Sequence, residues 1–163
     1  MELLAPVAAV QGIRKARTQD APAIAQLIRP FAAEGLMLPR TEEEIRRGIQ
    51  GYRLAMGPGG ELAGCIGIRP LRKDLAEIIG FAVASGWQGR GVGTHLLERA
   101  VEESLLRGFY RTFAMTLRPG PFLRLGFLEV PRSRIPEKIA LDCTTCPFRE
   151  ECRERTLLLD VTS

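Results

Sequence analysis

Trp87-Gln-Gly-Arg-Gly-Val-Gly-Thr94 is the segment of this chain whose residue types and spacing most directly point to chemistry. Gly89, Gly91 and Gly93 let the backbone approach a ligand closely, because no Cβ stands in the way. Where a helix begins, its first amide N–H groups point outward without intrahelical partners, and the helix dipole adds a partial positive charge. Such a turn holds phosphate oxygens, and Arg90 can add a full charge. A structural left-handed cap is the competing account of any single glycine, so the surrounding pattern has to decide. The chain has no G-x-x-x-x-G-K-[ST] run, and no strand–helix–strand unit carrying G-x-G-x-x-G. What remains is Q-x-x-G-x-G, formed by Gln88, Gly91 and Gly93.

The elements around this loop follow from periodicity. Residues 76–83 are nearly all apolar, Glu77 excepted, which is the pattern of a central strand covered on both faces. After the loop, Leu96, Leu97, Ala100, Val101 and Leu105 line one side of a helix ended by Gly108. Upstream, residues 12–17 alternate like a short strand. Asp20 and Pro22 open a helix with Ile24, Leu27, Ile28 and Phe31 on one face, its last turns disturbed by Pro30. Thr41 and Glu44 form a capping box that starts a second short helix. Residues 52–56, the breakers Gly57-Pro-Gly-Gly60 and residues 61–69 read as a hairpin. Downstream, Phe113, Met115 and Leu117 alternate as a strand that Pro119-Gly-Pro121 breaks. Residues 122–125 supply a helical turn, 127–130 another strand and 156–161 a final one. The order implies an α+β sheet domain with helices packed on it.

At 163 residues the chain has the length of one domain, 1–163, with 1–11 read as an N-terminal extension and 133–155 as a cysteine-containing loop. Apolar residues at 45% and charged residues at 26% suit a folded chain and argue against disorder. The first ten residues lack a basic leader region, and no apolar run approaches the ~20 residues of a spanning helix. The reading is a cytoplasmic protein without a membrane partner. The net charge of +4 favours anionic partners, but the basic residues are dispersed among acidic ones rather than set in a stripe with aromatics. Nucleic acid is therefore not expected, and a polyphosphorylated cofactor satisfies the same field.

Gln88, Gly91 and Gly93 in this setting resemble the acetyl-CoA signature of the GNAT superfamily of N-acetyltransferases. Gly64-Cys-Ile-Gly67, Ala76-Glu77 and Leu125-Gly-Phe127 fall where that superfamily places them. Gly35-Leu-Met-Leu-Pro-Arg-Thr41 and the cysteine-bearing tail are similar to the short, single-domain N-acetylglutamate synthases of bacterial arginine biosynthesis. The resemblance implies a GNAT-type mixed, mostly antiparallel twisted sheet with helices on both faces. It also implies acetyl-CoA as co-substrate, with Gln88, Gly89, Arg90, Gly91, Val92, Gly93 and Thr94 at the pyrophosphate. The main chain of Phe81, Ala82 and Val83 would meet the pantetheine arm and the thioester oxygen. Attack by the amine is direct, so proximity supplies much of the rate and a general base must deprotonate the ammonium. Glu77, the one acid of the central run, is that candidate, burial being expected to raise its pKa; a strand-end carboxylate that faces solvent or pairs with an arginine is the plainer alternative.

Arg40 and Lys138 stand at positions the resemblance assigns to the acceptor, a small-molecule amine expected to be L-glutamate, and arginine's planar fork suits a carboxylate. Both also read as ordinary surface charges. Phe122 stands where many GNAT enzymes carry a tyrosine that protonates the leaving thiolate, which leaves water or another residue for that task, or a non-catalytic acyl-CoA sensor. His95 is read as solvated or phosphate-facing, and Tyr110 as packing. Cys143, Cys146 and Cys152 form C-x2-C-x5-C, whose first pair has metal-knuckle spacing but lacks an evident fourth ligand. Reduced thiols are expected there, with a zinc-stabilised binding module as the competing reading and the tail otherwise a lid or a homodimer element.

Overall fold

The structure is a computed structural model that describes residues 12–143, 146 and 152–162. Residues 1–11, read from sequence as an extension, and part of the 133–155 loop lie outside the described residues.

Strands β1 (Ile13–Lys15), β2 (Tyr52–Met56), β3 (Leu62–Arg72), β4 (Leu75–Val83), β5 (Arg111–Thr116), β6 (Leu128–Val130) and β7 (Arg155–Asp160) form a sheet in the order β1-β2-β3-β4-β5-β7-β6. Every neighbouring pair is antiparallel except β4 and β5. Helices α1 (Ala21–Ala33), α2 (Glu42–Arg47), α3 (Val92–Leu106), α4 (Gly120–Arg124) and α5 (Pro136–Lys138) complete the described framework, α5 running into a π-helical turn at Ile139–Cys143.

Alternation along the strands feeds two cores, one on each face of the sheet. Ala55, Ile66, Ile68 and Ile78 pack with Leu96, Leu97 and Ala100 of α3 and Phe122 of α4. Leu54, Cys65 and Ala82, their neighbours in sequence, turn the other way against Ile24, Ala25 and Ile28 of α1 and Ile45 of α2. Burial of side chains such as Leu96 and Leu97, at 0% and 1% exposure, contributes about 2 kcal/mol each. Helices on both faces of a mixed, mostly antiparallel sheet are what the sequence reading expected.

Two irregularities open the sheet where the site lies. The parallel β4–β5 pairing covers only Leu75↔Arg111, Ala76↔Thr112 and Glu77↔Phe113, so beyond those residues the strands part. On β4, Gly80 and Phe81 lie between the partners of Gly67 and Cys65, so two residues oppose Ile66 alone. This bulge sharpens the local twist, and Gly80 takes φ +55 with the Tyr52 hydroxyl 3.0 Å from where a Cβ would stand.

Three sequence expectations shift. Helix α1 continues through Pro30 to Ala33, because Gln26, whose carbonyl loses its helical partner there, and Pro30 are both exposed and water can substitute. Strand β3 runs past Arg69 to Arg72, since Pro70 lies beyond the last β2 partner at Gly67 and takes no amide from that ladder. Strand β1 is shorter than 12–17, because the Asp20 carboxylate accepts the Arg17 amide at 2.7 Å and pairs with Arg14 at 2.9 Å, closing a turn. None of the described helices is long and apolar enough to cross a membrane.

Candidate active site

Where β4 and β5 part, a cleft of about 530 Å³ opens, walled by residues 77–83 of β4, Ala114–Thr116 of β5, and the loop that leads into α3. Gly91 is the N-cap of α3 with φ +84, a left-handed turn that an L side chain strains to adopt. The first helical bond runs from the His95 amide to the Gly91 carbonyl, so the amides of Val92, Gly93 and Thr94 have no partner within the helix. Gln88, Gly89, Gly91, Val92, Gly93 and Thr94 all border the cleft. Gln88 Nε2 donates to the Val83 carbonyl at 3.1 Å and ties the loop back to β4. At Gly93 a Cβ would sit 3.4 Å from Val83 and 3.5 Å from Phe81, ordinary contact distances, so the helix start lies directly against the strand. The donor set, free amides at the end of a four-turn helix, fits a pyrophosphate. Arg90 is not among the described lining residues, its guanidinium lying 5.0 Å over the half-buried Trp87 ring, and His95 does not line the cleft either.

At the other end of β4, about 20 Å from Val83 at ~3.3 Å per residue, Glu77 is 3% exposed and far from isolated. Its cross-strand partner is Arg69, whose Nη2 donates to Oε1 at 2.6 Å, and Lys138 Nζ approaches Oε2 at 2.9 Å. The Asp142 carboxylate accepts from both cations, at 2.7 Å from Lys138. Burial alone would push the Asp142 carboxyl up, but hydrogen bonds from Arg69 and Lys138 hold it below the usual carboxylate range. The alternating charges of Arg69, Glu77, Lys138 and Asp142 thus compensate one another. Lys138, expected to face the acceptor, is 6% exposed and committed to these two carboxylates.

Arg40 differs. It borders the cleft from the loop between α1 and α2, fixed by Thr41, whose side chain caps α2 by accepting the Glu44 amide at 3.1 Å. Among the described residues nothing pairs with its guanidinium. Glu154, just ahead of β7, also lines the cleft, with a carboxyl that burial pushes up. Sequence reasoning missed Glu154, Arg69 and Asp142, as well as Arg118 and Arg124 on the rim. Phe122 is buried edge-on against Phe81 and Phe127, and among the described lining residues the hydroxyls are those of Thr94 and Thr116.

The cysteines give no metal geometry: no group of three or more ligating side chains occurs among the described residues. Cys143, Cys146 and Cys152 are free and half-buried, while Cys65 is buried in β3, its thiol donating to the Gly80 carbonyl and pushed up to about 12 by burial.

The sequence profile of the acetyltransferase (GNAT) family matches residues 21–127, from the start of α1 to the strand after α4. The chain belongs to the GNAT acetyltransferase family. It is an acetyl-CoA-dependent N-acetyltransferase. Among GNAT relatives it is 37% identical over 142 residues to an uncharacterized N-acetyltransferase of Chlorobaculum tepidum, covering 87% of this chain and 91% of that one. It is 29% identical to an amino-acid acetyltransferase of Mycobacterium tuberculosis, over 86% and 77% of the two chains. The crystal structure of N-acetylglutamate synthase from Neisseria gonorrhoeae with coenzyme A and N-acetyl-glutamate superposes with a TM-score of 0.74 at 27% identity, over 90% of this chain. This GNAT chain spans 34% of that enzyme's length.

Proposed function

We propose that this enzyme acetylates the α-amine of an amino acid and that the acceptor is L-glutamate. The observation that carries the reading is Arg40, a guanidinium that lines the cleft within electrostatic reach of Glu154 and pairs with none of the described residues. Arginine's rigid fork matches a carboxylate bidentately, and an amino-acid acceptor brings that group with its amine. Similarity to an amino-acid acetyltransferase and to an N-acetylglutamate synthase supports the same acceptor class.

In this reading the amides of Val92, Gly93 and Thr94, with Gln88, Gly89 and Gly91, hold the pyrophosphate of the co-substrate, and Arg90, outside the cleft lining, contributes its charge alone. The main chain of Phe81, Ala82 and Val83 lines up the pantetheine arm and donates to the thioester oxygen as it gains charge. Because β4 and β5 part beyond Glu77↔Phe113, this stretch of β4 has no β5 partner, which leaves its main-chain groups on that side free for this task. Glu77 acts, through a water, as base in the step that forms the C–N bond. Arg69 and Lys138 hold it in place, and Lys138 serves the acceptor end by holding Glu77 and Asp142 rather than by pairing a substrate carboxylate.

Thiol release from acetyl-CoA with a panel of amino acids and other amines tests the proposal. L-Glutamate is expected to be turned over, and Arg40→Ala to raise its KM about 10- to 100-fold, the loss of a charged hydrogen-bonded pair, with the KM for acetyl-CoA unchanged. An inert glutamate beside a reactive amine that lacks a carboxylate would remove both the acceptor and the role of Arg40.

A further inference from the structure

The cleft contains a second carboxylate in circumstances opposite to those of Glu77. Glu154 borders the cleft and forms no hydrogen bond or ion pair with any described residue. Its backbone is well anchored: Arg155, the next residue, begins β7 and pairs with Thr116 on the cleft wall. The charged groups within electrostatic reach come from four segments, Lys138 of α5, Glu77 of β4, Arg132 of the turn before α5, and Arg40 of the loop before α2. Glu77 and Asp142 take up Lys138, so no cation is bound to Glu154 itself.

We propose that Glu154 is a further catalytic residue, the group that takes the first proton from the acceptor's ammonium as it enters beside Arg40. The inference rests on the amine-acceptor reading and deepens it. An amino acid arrives as R–NH3⁺, and two of its nitrogen-bound protons must leave before the amide is formed. In the first step an N–H bond breaks, its electron pair stays on nitrogen, and the proton passes to a Glu154 oxygen. In the second, the C–N bond has formed and the C–S bond breaks with its electron pair leaving on sulphur. The nitrogen then yields its second proton through Glu77. One of the two protons ends on the thiol and the other in solvent, so the charges balance.

Both Glu77 oxygens are already engaged, Oε1 by Arg69 and Oε2 by Lys138, which leaves neither free to meet an incoming ammonium directly. An unpaired carboxylate in a partly desolvated cleft is a better proton acceptor, and the upward push that burial gives the Glu154 carboxyl brings it nearer to working pH. Glu154 and Arg40 also provide an anion and a cation for the two charged groups of a zwitterion. Two carboxyl groups held in different environments, one ion-paired and one not, are how one site divides acid–base tasks.

The test is kcat/KM against pH for the native enzyme and Glu154→Gln, with L-glutamate and with whichever other amine proves reactive, and with CoA affinity as a check on folding. With Glu154 as proton acceptor, the isosteric variant binds CoA normally and loses about a hundredfold at neutral pH. It also loses the acidic limb of the profile, its rate instead climbing about tenfold per pH unit as free amine accumulates. A variant that keeps the native profile, or that raises KM alone with the limb intact, overturns the proposal. If glutamate is inert but another amine reacts, the acceptor assignment falls, while the profile with that amine still decides the role of Glu154.

Discussion

Residues 81–94 form one end of the cleft as a single stretch of chain, whereas the other end gathers Arg40, Glu77, Lys138 and Glu154 from four separated segments. The first end offers main-chain amides and a helix terminus, set by left-handed backbone conformation at Gly80 and Gly91. The second works through side-chain charge and is held by ion pairs that compensate one another across β3, β4 and the π-helical turn. A site made of backbone tolerates most side-chain changes and fails where a dihedral is forced; a site made of paired charges fails when one partner is removed.

Removing the cation at the centre of the charged end should do the most damage. Lys138→Met breaks the buried ion pair with Glu77, an expected loss of about 3–5 kcal/mol. In a chain of this size that lowers Tm by about 10 °C, which thermal unfolding would show; a Tm unchanged within 2 °C, roughly 1 kcal/mol, would mean the network is ornamental. Next comes Glu77→Gln, expected to cut kcat about a hundredfold while leaving the KM for acetyl-CoA in place. A change confined to the co-substrate's KM would erase the division between the ends. At the backbone end, Gly91→Ala forces a side chain into φ +84, at about 1–2 kcal/mol. The expected result is a KM for acetyl-CoA raised about tenfold with the acceptor's KM untouched, read by varying each substrate in turn.

The smallest effect concerns stability and has a defined sign. Burial raises the Glu154 carboxyl in the folded protein, so the stability tied to its protonated form is fully present below the ordinary carboxylate range. That contribution is lost as pH rises through the folded value. Glu154→Gln should therefore match the native Tm in acid and exceed it slightly at neutral pH, measured as Tm at matched pH. A variant less stable at neutral pH would show that the ionised carboxylate is instead held by a partner.

This contrast also explains what the sequence made legible. The glycine loop, the apolar strand and the amphipathic helix after it lie next to one another in the chain, so spacing alone places Gln88, Gly91 and Gly93. Glu77 was legible as the odd acid in that strand, but its partners were not. The reading that ended β3 at Arg69 hid the cross-strand pair, because Pro70 masks a strand that runs on to Arg72. Lys138 and Asp142 are an i, i+4 pair, visible only once the segment around them is known to be helical. Glu154 carries no local signal: what makes it a cleft residue is the register of β7 against β5, a long-range pairing that no periodicity encodes.

That same register has a consequence for how the chain comes off the ribosome. β7 follows β6 in sequence yet lies between β5 and β6 in the sheet, so β6 has no described strand to pair with until β7 is made. Until then the nascent domain would present an open edge along β5, the kind of surface on which strands from other chains add. Closing that edge is also what brings Glu154 to the cleft, so the molecule cannot assemble its acceptor site while still exposing the surface through which it would aggregate.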